Sequence, residues 1–193
     1  MHAFIGLGNP GSEYDGTRHN LGFSVIDALS EELAVELKAG HGEYLIGKSS
    51  YRGRTCCLVK PLTYMNNSGV ALRDLTAWHK IHLDEILVIC DDFHLPLGSL
   101  RLRPSGSDGG HNGLYSVIYH LQTEKFPRLR CGIGSETMPS RNSELARFVL
   151  TVFRKNELHD VREMVARARD AALVFASSGL TDAMNKFNAS TPA

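Results

Sequence analysis

Apolar and polar positions along this chain switch between two periods, and the switches outline its elements. Residues 2–8 form a short unbroken apolar run that predicts a buried strand, ended by Gly8-Asn9-Pro10-Gly11. Val25, Ile26, Leu29, Leu33 and Leu37 recur at helical spacing and predict a helix over about 21–38. Residues 43–49 and 54–60 read as two strands joined by a turn at Arg52-Gly53. After Asn67-Ser68-Gly69, a helix over about 68–81 brings Leu72, Leu75 and Trp78 onto one face. Strands follow at 85–91, 100–103 and 129–133, with a flexible loop at 106–110 and a helix at 112–121 between the last two. From about 142 the pattern is helical. Leu158, Val161, Val165, Ala168, Ala172 and Phe175 mark one long helix at about 156–177, stopped by Gly179. Thr181 is placed to cap a last helix at about 182–188.

Strands interleaved with helices imply an α/β fold, a twisted β-sheet surrounded by helices. The hairpin spacing at 43–60 requires an antiparallel pair, so the sheet is expected to be mixed. A length of 193 residues suits a single domain over 1–193, with a helical C-terminal portion at about 142–190. A chain of this size buries enough surface to need no metal or disulfide staple.

Charge changes the picture. Twenty-one Lys plus Arg balance 21 Asp plus Glu, a neutrality that argues against a nucleic-acid partner. The sum hides alternating blocks. Residues 1–45 hold seven acids and two bases, 46–80 six bases and one acid, 81–98 four acids and no Lys or Arg, and 99–134 five bases and two acids. A local basic stripe for phosphates is therefore compatible with zero net charge. The four cysteines, Cys56, Cys57, Cys90 and Cys131, form no C-x-x-C pair and read as small core residues in a reducing compartment. Cys56 and Cys57 are expected to face opposite sides of a strand. The apolar run at the N-terminus is too short for a signal peptide, and no run is long enough to span a membrane. The expected location is the cytoplasm.

Gly6, Gly8 and Gly11 spell a dinucleotide fingerprint, but that motif needs a helix opening at its glycines, and no helical face begins before Leu21. Three other polar stretches stand at strand-to-helix junctions, where open α/β sheets bind ligands. They are Gly8-Asn9-Pro10-Gly11 with Thr17-Arg18-His19-Asn20, then Thr63-Tyr64-Met65-Asn66-Asn67-Ser68-Gly69, then Gly109-Gly110-His111-Asn112-Gly113. Each carries an asparagine, which donates and accepts without charge and suits an ester or amide ligand. Asn9 and Asn20 are expected to be partly structural. The strand at 85–91 ends in Asp91-Asp92, and His19 lies in the first loop. A histidine held by a carboxylate suits a general base. His79 and His82 read as surface residues. No G-x-S-x-G elbow and no loop cysteine is present, so attack by water is favoured over a covalent nucleophile.

Gly6-Leu-Gly-Asn-Pro-Gly11, Tyr14, Thr17-Arg-His-Asn20, Lys60-Pro61, Thr63-Tyr-Met-Asn66, Ser68-Gly69, Asp91-Asp92 and Gly109-Gly-His-Asn-Gly113 together resemble the bacterial peptidyl-tRNA hydrolase family. The match runs in order from residue 3 to about 188. It implies a monomeric α/β domain with a mixed sheet, and cleavage of the ester between a peptide and the 3′-terminal ribose of tRNA, with no cofactor and no metal. By position, His19 matches the base that deprotonates water and Asp91 the acid that orients it. Asn9 matches the residue that separates blocked from free aminoacyl groups. Asn66 and Asn112 match substrate-binding positions, Tyr14, Tyr64 and Met65 match positions lining the cleft, and Arg103 and Arg130 match bases for the tRNA 5′-phosphate. Two departures touch phosphate contact: His94 stands where the family commonly has an acid, and Tyr115 where it often has a Lys. The alternative is a non-catalytic RNA-binding relative of the same fold, which loss of His19 or Asp91 would favour; both are present.

Replacing Arg103 and Arg130 together with Ala is expected to weaken tRNA binding and to flatten its salt dependence by roughly one unit of slope per arginine. Filter binding across a salt series reads this, and an unchanged slope removes the clamp.

Overall fold

Seven strands form one mixed sheet in the order β2-β3-β4-β1-β5-β7-β6. The computed structural model describes residues 1–135, 138, 139 and 141–188. In chain order the elements are β1 (His2–Gly6), α1 (Leu21–Glu32), β2 (Lys38–Ala39), β3 (Tyr44–Tyr51), β4 (Arg54–Pro61), α2 (Ser68–His79), β5 (Ile86–Pro96), β6 (Leu100–Arg103), α3 (Asn112–Leu121), β7 (Arg128–Gly134), α4 (Asn142–Val149), α5 (Leu158–Ser178) and α6 (Leu180–Phe187). β1 sits between β4 and β5 and runs parallel to both, and β7 runs parallel to β5. The pairs β2–β3, β3–β4 and β6–β7 are antiparallel. The expected hairpin turn is present: Arg52 and Gly53 both take positive φ, 48° and 75°, as two-residue hairpin loops demand. Among the described residues no helix is long and apolar enough to cross a membrane.

The period-two alternation of the central strands divides the core in two. Phe4, Cys56, Leu58, Leu87 and Ile89 face α1 and α5, together with Val25, Ile26 and Ala172. Ala3, Ile5, Cys57, Val59 and Val88 face α2 and α3, together with Leu72, Leu75, Leu114 and Val117. Cys56 and Cys57 thus lie in different cores, as adjacent strand residues must. All four thiols are free and buried.

Several elements differ from expectation. The first helix ends at Glu32, about six residues early, because Ala34 turns into the left-handed region with φ 48° and Val35 N–H donates back to Ser30. Leu33 and Leu37 still pack on the core, from the segment that leads into the short edge strand β2. Trp78 is 59% exposed, away from the buried face of Leu72 and Leu75, and stacks on His41; α2 itself stops at the left-handed Lys80. His79 is half-buried, with Nε2 lacking a partner among the described residues. Asp91 and Asp92 lie within β5, whose ladder with β7 shifts register only after Asp92. Thr181 falls inside α6, and Gly179, with φ 89°, is its N-cap. Residues 189 and 190 of the expected C-terminal portion lie outside the described residues.

β1, β4 and β5 are parallel, so their C-terminal ends share one edge, where the chain leaves β1 and β4 for its polar loops. The segment before α3 reaches this edge from the opposite side, because β6 runs antiparallel to β7. It is held on the way: buried Arg128 donates to the carbonyls of Gly106, Ser107 and Glu124. The loop expected to be flexible is therefore pinned at its start.

Gly22 lets α1 cross the sheet at contact distance. A Cβ there would lie 2.4 Å from the Leu7 carbonyl oxygen and 2.6 Å from that of Ile89. Both are backbone atoms and neither can turn aside. Gly22→Ala is expected to destabilise the fold by about 1–3 kcal/mol or more, read from the urea midpoint at unchanged m-value.

Candidate active site

Asp91 lies between two imidazoles. A 3-10 turn, Arg18–Asn20, runs straight into α1 and sets His19 against β5. His19 Nδ1 stands 2.9 Å from Asp91 Oδ1 and 3.0 Å from Oδ2. His111 Nε2 approaches the same Oδ1 at 3.1 Å. The two rings are 4.8 Å apart. All three residues are buried.

The partners fix the tautomers. His111 caps α3: its Nδ1 accepts the Leu114 N–H at 3.2 Å, so the ring proton sits on Nε2 and is donated to Asp91. His19 donates from Nδ1, which leaves Nε2 as the basic nitrogen presented to the cleft. Burial alone would lower the His19 pKa, but the Asp91 charge and hydrogen bond outweigh it and raise it above the ordinary value. Burial likewise disfavours the Asp91 carboxylate, yet the two histidines hold its pKa well below the usual range. His19, Asp91 and His111 place their ligand atoms within 4.8 Å of one another, close enough for a cation. The hydrogen-bond pattern instead assigns the nitrogens facing Asp91 to protons.

Asn9 is buried and held by its neighbours. Its backbone N–H donates to Asn20 Oδ1 at 2.8 Å and its carbonyl accepts from Asn20 Nδ2 at 2.9 Å, a side-chain imitation of strand pairing. Its own Oδ1 accepts the Met65 N–H at 2.8 Å. The acceptor side of the Asn9 amide is thereby occupied, and its two N–H groups are what it offers a ligand. Both expected structural roles hold here: Asn20 latches the loop, and Asn9 ties the β1 loop to the β4 loop. Tyr64 precedes Met65 with φ 58°, an uncommon conformation for a bulky side chain, and meets Tyr14 edge-on at 6.4 Å.

Two cavities meet at this point. One of about 410 Å³ is lined by Asn9, Tyr14, His19, Tyr64, Met65, Asn66 and Asn112, and closed by Ala146, Val149 and Leu150. The other, of about 290 Å³, is lined by His19, Asp91, Phe93, Gly110, His111 and Asn112, with Leu145, Ala146 and Val149. His19 and Asn112 border both, so a ligand spanning the two passes the free imidazole nitrogen. A separate groove between the β5–β6 turn and α5 is larger, about 560 Å³, but brings no histidine or cysteine to its walls.

The arginines occupy one face of the β6–β7 pair. Register sets Arg101 opposite Arg130 and Arg103 opposite Arg128. Arg103 is exposed. Arg130 is ion-paired through Nε with Asp92 Oδ2 at 2.8 Å, and a Cβ on Gly109 would lie 3.0 Å from its Nη2. It therefore borders the segment that carries His111. Arg101, given no role by the resemblance, is the direct neighbour of Arg130.

Eight residues singled out in the sequence are His19, Asp91, Asn9, Tyr14, Tyr64, Met65, Asn66 and Asn112, and the structure gathers all of them around the two cavities. His111 was not among them. The Gly109–Gly113 motif displays it, but no spacing reveals its bond to Asp91. Nor was the α4 wall foreseen, because Ala146, Val149 and Leu150 carry no chemical signature.

A family model described as peptidyl-tRNA hydrolase matches residues 3–193. The chain is 46% identical over 190 residues to a peptidyl-tRNA hydrolase of Chlorobium chlorochromatii (strain CaD3), covering 98% of this chain and 99% of that one. It is 44% identical to one of Caldanaerobacter subterraneus subsp. tengcongensis, covering 97% and 100%. The crystal structure of peptidyl-tRNA hydrolase from Acinetobacter baumannii superposes with a TM-score of 0.93 at 32% identity, covering 100% of this chain and 97% of that one.

Asp91→Asn is expected to lower the titration midpoint of His19, followed by NMR, because burial then acts without the opposing charge. The linkage has a definite sign. A raised His19 pKa gives stability that is full below about pH 6.5 and lost as pH rises through the folded value. A lowered Asp91 pKa gives stability present above about pH 4 and lost as pH falls. The pair should stabilise most between these limits, and an unmoved midpoint in the variant refutes the coupling.

Proposed function

The chain belongs to the peptidyl-tRNA hydrolase family and hydrolyses peptidyl-tRNA, and we propose that it does so with His19 as general base. The observation that carries this reading is the His19 Nδ1 contact with Asp91, which leaves Nε2 at the junction of two cavities. Nε2 takes a proton from water as the water oxygen bonds to the ester carbonyl carbon. The tetrahedral intermediate expels the ribose oxygen, which receives the proton back from the imidazolium. Asp91 stabilises that imidazolium and keeps the ring in the Nδ1–H tautomer. A positioned base contributes roughly 10²–10⁴-fold and an oxyanion donor roughly 10²–10³-fold. Those magnitudes suit an ester that is already activated. Asn112 and Asn66, both exposed on the cavity walls, are placed to donate to the carbonyl oxygen.

The cavities divide the substrate. The smaller lies on the side of Gly110 and Phe93, next to the Gly109–Arg130 contact, and takes the terminal ribose and its base. Arg103 and Arg130 then meet the phosphate beyond it. The larger, with Tyr14, Tyr64 and Met65, takes the acyl group. Asn9 presents donors there, so it binds the amide carbonyl of a blocked amino group. A free α-ammonium is itself only a donor and meets on Asn9 an oxygen already engaged by Met65 N–H. Selectivity for blocked esters thus rests on an unfavourable contact as much as on a favourable one. Four free buried thiols fit the cytoplasm.

His19→Ala is expected to lose roughly 10²–10⁴-fold in kcat on N-acetylaminoacyl-tRNA while binding persists. Equal turnover by both proteins would instead favour the RNA-binding alternative. Asn9→Asp keeps the acceptor for Met65 N–H and removes the donors. Its preference for N-acetylated over free aminoacyl-tRNA should fall about tenfold or more, as read by kcat/KM on the two esters.

A further inference from the structure

Arg18, the residue before His19, is 2% exposed and directs its side chain at one segment. Its guanidinium lies between the rings of Phe148 and Phe153, 4.6 Å from each centroid. Its Nη2 donates to Glu157 Oε2 at 2.8 Å, and its backbone N–H donates to the Thr151 carbonyl at 3.0 Å. Thr17 adds a bridge to Val152. Glu157 in turn accepts the Arg154 N–H at 2.6 Å, which closes the segment on itself. Among the described residues, Nε and Nη1 of Arg18 have no hydrogen-bond partner. The group is therefore held chiefly by its two faces and one carboxylate.

That segment is the continuation of α4. Val149 and Leu150 sit on it directly after Phe148, and with Ala146 they line the larger cavity that Tyr14 and Tyr64 also line, Ala146 and Val149 bordering the smaller one too. One side chain thus joins the turn that carries the base to the wall that faces it. A shift of the segment would leave His19 on Asp91 but move the wall. We propose that Arg18 is a positioning residue that sets the apolar wall of the acyl cavity, and so the preference of the enzyme among acyl groups. The charge alone does not suffice for this role. Only a planar guanidinium offers two faces to two rings while its edge reaches Glu157, and an ammonium lacks that geometry.

The inference rests on the larger cavity being the acyl site, and the test separates the two. A single tRNA is charged with either N-acetylphenylalanine or N-acetylglycine, and kcat/KM is measured for both. The wild type should prefer the bulky group; no preference would overturn the acyl assignment and this inference with it. Arg18→Lys should reduce that preference about tenfold, the range of one or two methylene contacts. The acid-limb midpoint of its pH profile, where His19 loses its proton, should stay in place, because Asp91 sets it. A purely structural role would scale both substrates equally, and an unchanged ratio or a moved midpoint overturns the proposal. Glu157→Gln, which keeps the ring sandwich and a neutral hydrogen bond, should reduce the preference less. It carries the test if the lysine variant fails to fold, and a ratio unchanged in it then counts against Arg18.

Discussion

A carboxylate taken out of water must be paired, and in this protein the edge where the two cavities meet is organised by how Asp91 is paired. Strand β5 carries it past the end of β1, where side chains satisfy it. Two imidazoles do so from two different helix starts, His19 from the turn before α1 and His111 from the cap of α3. The demand of one buried charge therefore fixes the relative placement of two helices on opposite faces of the sheet. It also decides the chemistry. His111 must keep its proton on Nε2 because its Nδ1 is the helix cap, and His19 is left with a free nitrogen at the cavity junction.

The surrounding polar groups obey the same logic of occupied and unoccupied atoms. Asn9 and Asn112 are the same residue type with different duties. Asn9 is buried, bonded on its backbone by Asn20 and on its oxygen by Met65, so its amide N–H groups are what it keeps wholly free for a ligand. Asn112 is exposed at the first turn of α3 and borders both cavities. Neutral overall charge is reconciled with a tRNA substrate in a similar way. Four of the 21 basic residues share one face of β6–β7, where Arg128 is held by backbone carbonyls and Arg130 is ion-paired with Asp92. Arg101 and Arg103 stand on the same face.

Glycine placement links the fold to the site. Gly22 lets α1 start in contact with β1 and β5, which brings His19 within reach of Asp91. Gly113 lets α3 start against the loop after β4, where a Cβ would lie 2.4 Å from Met65 Sδ.

The sequence by itself determined the α/β class, the mixed sheet, the hairpin at Arg52-Gly53 and the three polar loops. Periodicity and turn chemistry are local, and a strand or a two-residue turn writes them in consecutive residues. The loop residues His19, Asn9, Asn66 and Asn112 were legible for the same reason, as polar residues at strand-to-helix junctions. Tertiary structure alone decided what those residues are bonded to. The second imidazole on Asp91, the Asn9–Met65 bond and the Arg18 sandwich all join positions far apart in the chain. Each depends on which hydrogen-bonding atom is already taken when the segments meet, and composition and spacing carry no record of that.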